Sequence, residues 1–322
     1  METGYHGRPL PRPDEDIEDQ GLGFDVGTLL QRRRILQALG VGAMSLGLAA
    51  CATGTSASSA TSYPSTADGE IPDETAGPYP GDGSNGPDVL EESGIVRSDI
   101  RSSFGDASDT ARGIPLTLAL NLKDLVHGGS AFAGVAVYVW HCDRSGRYSM
   151  YSSGIEDQNY LRGVQVADDA GTVTFTSIFP ACYSGRWPHI HFEVYPDADS
   201  IDDPANAIAT SQLALPKDAC DAVYATDGYS ASVKNLANVT LADDNVFGDD
   251  GGAHQLGQVT GNVEDGYAVS LTVCIDTTTE PSGGGVPGGG APGGGGGTPP
   301  TGGPGGDGTP PSGAPGTSST SS

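Results

Sequence analysis

Basic residues are scarce in this chain. Fifteen Lys and Arg stand against 41 Asp and Glu, a formal net charge of −26. So acidic a surface excludes nucleic acid and anionic membrane as partners and keeps the body soluble by self-repulsion. Among 322 residues there are only five cysteines and six histidines. No Cys-x-x-Cys spacing occurs, which argues against a zinc cluster. No apolar run is long enough for a membrane span; the candidate, Ile35 to Ala50, is short and glycine-rich. No internal repeat is evident. Helical periodicity is confined to 218–239, where one or two short helices are expected.

What is present divides the chain into four. Arg32-Arg33-Arg34, the short apolar run and the small residues before Cys51 follow the order of a signal peptide. "RRRILQ" resembles a twin-arginine export signal, and Leu48-Ala49-Ala50-Cys51 resembles a bacterial lipobox, whose cysteine becomes acylated. The competing reading is an amphipathic helix with a buried cysteine. Residues 1–51 are thus expected to be an export signal ending at a lipidated Cys51. The product would be a surface lipoprotein on the outer face of the cytoplasmic membrane, touching the membrane through that anchor alone. Residues 52–71 read as a linker, and 277–322, nearly all Gly, Pro, Ser and Thr, as a disordered tail.

Residues 72–276 are expected to fold. The stretches 114–122, 134–142, 171–179, 189–195 and 266–275 are short, rich in β-branched and aromatic residues, and bounded by Gly, Asp and Pro. They predict a mainly β domain, a sandwich of two sheets.

In "RWPHIHFEVYP" (186–196), strand alternation puts His189 and His191 on one face and Ile190, Phe192 and Val194 on the other. Two imidazoles on one face can hold a metal; they can equally be surface histidines. Glu193 continues their face. Tyr148 and Tyr183 stand at turns. A tyrosinate ligand needs a strong Lewis acid to lower a phenol pKa of about 10, as ferric iron does. Either ring could instead pack on a sheet edge.

The stretch "VYVWHCDRSGRYSMYS…NYLRGVQVADDAGTVTFTSIFPACYSGRWPHIHFEVYP" resembles the catalytic domain of intradiol ring-cleavage dioxygenases, of the protocatechuate 3,4-dioxygenase type, over about residues 72–276. The resemblance implies a β-sandwich with non-haem Fe(III) held by Tyr148, Tyr183, His189 and His191. It implies that a catecholic substrate is cleaved with O2 between its hydroxylated carbons to a muconate-type diacid. Tyr183 would leave the ion when substrate binds and Tyr148 would stay. Arg186 would stabilise anionic character, Gln212 would lie on the next strand, and Thr75, Gly77, Pro78 and Tyr79 of "ETAGPYP" would line the substrate pocket.

Where the family has a glycine before the second tyrosine, this chain has Ala181-Cys182, and only six positions separate Tyr183 from His189. The N-terminal helical region of catechol 1,2-dioxygenases is absent. With both tyrosines at one ion, Cys142 and Cys182 are expected to form a disulfide in an exported protein, leaving Cys220 with Cys274. Two other classes stay open. One is a metal-free, transthyretin-like binding sandwich. The other is a copper or manganese oxidase or dismutase, which needs a carboxylate or a third histidine from His127, His141 or His254. Self-association is left open.

Overall fold

In a computed structural model, residues 69–282 are described, together with a backbone ladder pairing Gly4–Tyr5 with Arg8–Pro9. The leader, Cys51, most of the linker and most of the tail lie outside the described residues.

The strand β1 (Pro115–Asp124) shows how the sequence builds the sandwich. Leu116, Leu118, Leu120 and Leu122 are buried, while Pro115, Thr117, Ala119 and Asn121 between them are not. One face is core, the other solvent. After β1 come β2 (Ser130–Ala131), β3 (Ala136–Trp140), β4 (Arg162–Val166), β5 (Thr172–Ile178), β6 (His189–Tyr195) and β7 (Ala209–Ala214). Two short helices follow, α1 (Lys217–Tyr224) and α2 (Ser230–Leu236), then β8 (Gln258–Asn262) and β9 (Gly266–Ile275).

One sheet runs β8-β9-β1-β2, with β5 also paired to β1; the other runs β4-β3-β6-β7. All pairings within them are antiparallel except β9 with β1, which is parallel from Tyr267↔Leu116 to Ile275↔Asp124. The main core lies between the sheets. Leu116, Leu118, Leu120, Phe175, Val269 and Leu271 meet Val137, Val139, Ile190, Phe192 and Leu213 there. Each such side chain contributes about 1.5–3 kcal/mol through burial.

The four-stranded sheet is covered on its other face too, so β3, β6 and β7 are buried throughout. Ala76, Val89, Leu90 and Ile95 lie over Ala136, Tyr138, Trp140, Val164 and Tyr195. Residues 96–100 then cross between the sheets. Val96 bridges Val164 at the edge of β4, and Asp99 bridges Thr176 on β5.

The expected mainly β class and two-sheet architecture are present. The strands β2, β4 and β8 were not expected. The helical stretch is broken in two near Gly228, whose φ of +95° no helix accommodates.

The expected disulfides do not form: Cys142, Cys182 and Cys220 are buried free thiols. Cys142 packs in the cluster outside the four-stranded sheet and Cys182 in the core between the sheets. Their sulfurs turn to different carbonyls, Cys142 to Ala181 at 3.7 Å and Cys182 to Arg186 at 3.4 Å. Adjacency to two converging tyrosines does not require the sulfurs themselves to converge.

Candidate metal centre

His191 sits on β6 in register with Trp140 of β3 and Gln212 of β7, so all three share one row of one face. The Trp140 indole stacks on the His191 ring, centroids 4.9 Å apart and planes within 8°. His189, two residues earlier, projects to the same face. Its Nδ1 meets the Trp187 carbonyl at 2.5 Å. A carbonyl only accepts, so Nδ1 carries the proton and Nε2 keeps a lone pair.

Tyr148 arrives on the turn after β3. The Asp143 carboxylate accepts from the Ser145 and Arg147 amides and from the Arg147 guanidinium, which shapes that turn. Gly146 completes it at φ +82°, and a Cβ there would lie 3.1 Å from Tyr183 Cβ. Tyr183 is held from the other side by α2. Ser232 Oγ accepts from Cys182 N at 3.0 Å, and Asn235 Nδ2 donates to Cys182 O at 2.9 Å.

The four side chains converge. His189 Nε2 is 3.1 Å from His191 Nε2 and 3.1 Å from Tyr183 Oη. The Tyr148 ring stands edge-on to Tyr183 and to His191, with centroids 6.0 and 6.3 Å away. Its buried hydroxyl has no hydrogen-bond partner. Burial, reinforced by the neighbouring Tyr183 phenol, pushes the Tyr148 pKa well above the ordinary value. Burial and then the Arg186 charge lower His189 to about 3. His191 is also held well below its usual range, by burial and then by His189. Both imidazoles are neutral at physiological pH and offer lone pairs. Two neutral nitrogens and two phenols that ionise only beside a strong Lewis acid fit a ferric ion.

Among the described residues, no group of three or more His, Cys, Asp or Glu is placed to hold a metal. His141 uses its ring nitrogens on Cys142 O and Ser177 Oγ, at 2.8 and 2.7 Å. Glu193 shares the histidine face but accepts from Tyr195 Oη at 2.8 Å. Burial, then Asp82, raises its pKa to about 8.

Arg186 is buried beside this group. Nε donates to Asp244 Oδ2 at 3.0 Å and Nη2 to Gln212 Oε1 at 2.7 Å. Gln212 Nε2 in turn donates to Thr75 O at 2.9 Å. The pocket segment is therefore tied to Arg186 through Gln212. Gly77, at φ +73°, donates its amide to Thr75 Oγ1, and Pro78 O accepts from Asn85. The Tyr79 ring lies 5.0 Å from that of Tyr148. The structure thus brings Tyr148, Tyr183, His189 and His191 to one spot, with Arg186, Gln212 and Thr75 linked beside it and Tyr79 against Tyr148; His127 pairs with Asp124 instead, and Cys51 lies outside the described residues. Sequence reasoning missed Trp140, Asp244 and Arg162. Trp140 had a signal, since it ends the strand "VYVW"; Asp244 is one acid in a loop of several and had none.

Residues 85–200 match the family model described as Dioxygenase. The fold is similar to an intradiol ring-cleavage dioxygenase from Tetranychus urticae. That likeness has 24% identity and a TM-score of 0.54, over 66% of this chain and 98% of the other. The dioxygenase domain of a dioxygenase carbohydrate-binding protein fusion from Streptomyces sp. SirexAA-E is a looser likeness. It has 21% identity and a TM-score of 0.41, over 65% of this chain and 99% of that one. A chlorocatechol 1,2-dioxygenase from Rhodococcus opacus is 38% identical over 55 residues, 17% of this chain. The chain matches about a fifth of the length of that curated relative, 21%.

Proposed function

We propose that the chain is an intradiol ring-cleavage dioxygenase that uses ferric iron and O2 to open a catecholic ring between its hydroxylated carbons, a reading supported by the match of residues 85–200 to the Dioxygenase model and by the likeness of fold. The observation that carries this reading is the meeting of two lone-pair nitrogens and Tyr183 Oη within 3.1 Å contacts beside the partnerless Tyr148 hydroxyl.

Tyr148, Tyr183, His189 and His191 would hold the ion. Bound there, Fe(III) would supply Lewis acidity, lowering phenol pKa values and drawing electron density from a catecholate so that it reacts with O2. The protein's own part is to orient, exclude water and move protons. Tyr148 is buried while Tyr183 is partly exposed. Tyr183 is therefore the phenol better placed to swing aside and take a substrate proton at Oη. Arg186 brings a fixed positive charge into a water-poor pocket, where it acts on developing negative charge. Tyr79 offers a ring face to the substrate.

Purified protein loaded with ferric iron should show a tyrosinate charge-transfer band in the visible. Catechols should shift it to the red, with O2 uptake and a muconate-type product. His191→Ala should lose bound iron and colour together. A colourless protein of full iron content would remove tyrosinate ligation from the reading. Export and acylation at Cys51 belong to the same proposal, supported by the order of the leader signals. Cys51→Ala should free the protein from the membrane fraction with its activity intact; retention there would point to another anchor.

A further inference from the structure

Arg162, on β4, is 1% exposed. Among the described residues no carboxylate lies within ion-pair distance of it. A buried cation is ordinarily matched by an anion, because its lost hydration is otherwise uncompensated. Here all five N–H groups go to uncharged oxygens. Nε donates to Ser149 Oγ at 3.1 Å. Nη1 donates to Pro80 O at 2.5 Å and Tyr138 Oη at 2.9 Å. Nη2 donates to Tyr79 O at 2.9 Å and Ser149 O at 3.0 Å.

Those bonds join three separate pieces of chain. Tyr79 and Pro80 belong to the segment lying over the sheet, Tyr138 to β3, and Ser149 directly follows Tyr148. The segment presses on the guanidinium closely enough that a Cβ on Gly81 would stand 2.8 Å from Nη1. Backbone strain gathers at the same place. The described non-glycine residues with positive φ are Met150, at 71°, and Leu161, at 58°. Met150 follows Ser149, and Leu161 precedes Arg162. Such conformations persist where the surroundings over-determine them.

We propose that Arg162 is a positioning residue whose planar fork locks Tyr79 and the Tyr148 turn into one rigid wall, fixing the spacing between a metal-binding phenol and the ring face a catechol meets. This rests on the function proposed above. A single rigid side chain reaching both loops makes their spacing independent of loop flexibility. Lysine keeps the charge but not the fork, having three donors on a flexible stem.

The test uses the full chain as Arg162→Lys. With ferric iron bound, KM for catechol should rise about tenfold, the scale of one lost charged hydrogen bond. Iron content should hold, and the charge-transfer band should move. In the metal-free protein, amide exchange should quicken within 76–90 and 148–152, with β3 and β6 unchanged. Unaltered KM, band and exchange would overturn the proposal. So would exchange that quickens across the whole domain, since Arg162 would then be a general stabiliser. Should Arg162→Lys not fold, Ser149→Ala removes, of the five Arg162 contacts, only the acceptor of Nε, together with the Ser149 bond to Tyr160 O. Faster exchange at 79–81, which Ser149 does not contact, supports transmission through Arg162, and its absence refutes it. A wild-type protein that binds iron but cleaves no catechol would sink the proposed function, and the exchange measurements would still decide Arg162.

Discussion

Arg186 and Asp244 form an ion pair sealed from solvent, Nε to Oδ2 at 3.0 Å, with side chains 1% and 0% exposed. Asp244 also accepts from the amides of Trp187, Val246 and Phe247. Burial alone would raise its pKa, but the Arg186 charge and these hydrogen bonds hold it below the ordinary carboxylate range. The carboxylate thus fixes Arg186 and the backbone of Trp187, whose carbonyl orients His189.

Removing one member of such a pair leaves the other charge buried. Asp244→Asn should therefore cost about 3–5 kcal/mol in urea unfolding. It should also slow turnover, because Arg186 loses its anchor. A loss below about 1 kcal/mol would mean that Gln212 alone positions the guanidinium.

Gly146 lies at φ +82° with Tyr183 Cβ across from it. Alanine there adds backbone strain and pushes on Tyr183, costing about 1–2 kcal/mol. The tyrosinate band should shift more than with alanine at Gly154, also at positive φ but with open space around it. Equal spectra for the two variants would separate the turn from the placement of Tyr183.

Glu74 has its pKa raised to about 8, by burial first and by Asp249 next, against the lowering effect of Arg186. A raised folded pKa means that the unfolded chain gives up this proton first as pH rises. The contribution of Glu74 is therefore full below about 4.5 and declines toward pH 8, by at most about 1.4 kcal/mol per pH unit. Glu74→Gln should flatten that decline relative to wild type across the same window. Parallel pH profiles for the two proteins would show that Glu74 ionises freely in the fold.

Much of the fold is legible in the residues because alternation is a local signal. The leucines of β1 and the His-Ile-His-Phe run of β6 declare their faces without any knowledge of partners. The same alternation puts His189 and His191 together. Strand β4 escaped notice because "RGVQV" opens on an arginine and a glycine, which speak against a buried strand until the guanidinium's five acceptors are known. Those acceptors come from residues 79 to 149, and no local pattern announces them. Asp244 is hidden for a similar reason. The cysteines misled because proximity along the chain says nothing about the side of the sheet on which a sulfur lies.

The parallel pairing of β9 with β1 joins residues about 150 positions apart in sequence, whereas β3, β4, β6 and β7 all lie within residues 136–214, interrupted only by β5 of the opposite sheet. The sheet bearing the two histidines has the shorter loops to close and is complete in the chain by Ala214; the sheet opposite it waits for Ile275. During folding, Val137, Val139, Ile190 and Phe192 lack part of their cover, Val269 and Leu271, until that last strand docks, a window in which the chain is prone to self-association. Pulse-labelled hydrogen exchange should find β3 and β6 protected ahead of β9, and simultaneous protection would mean that the sandwich closes in a single step.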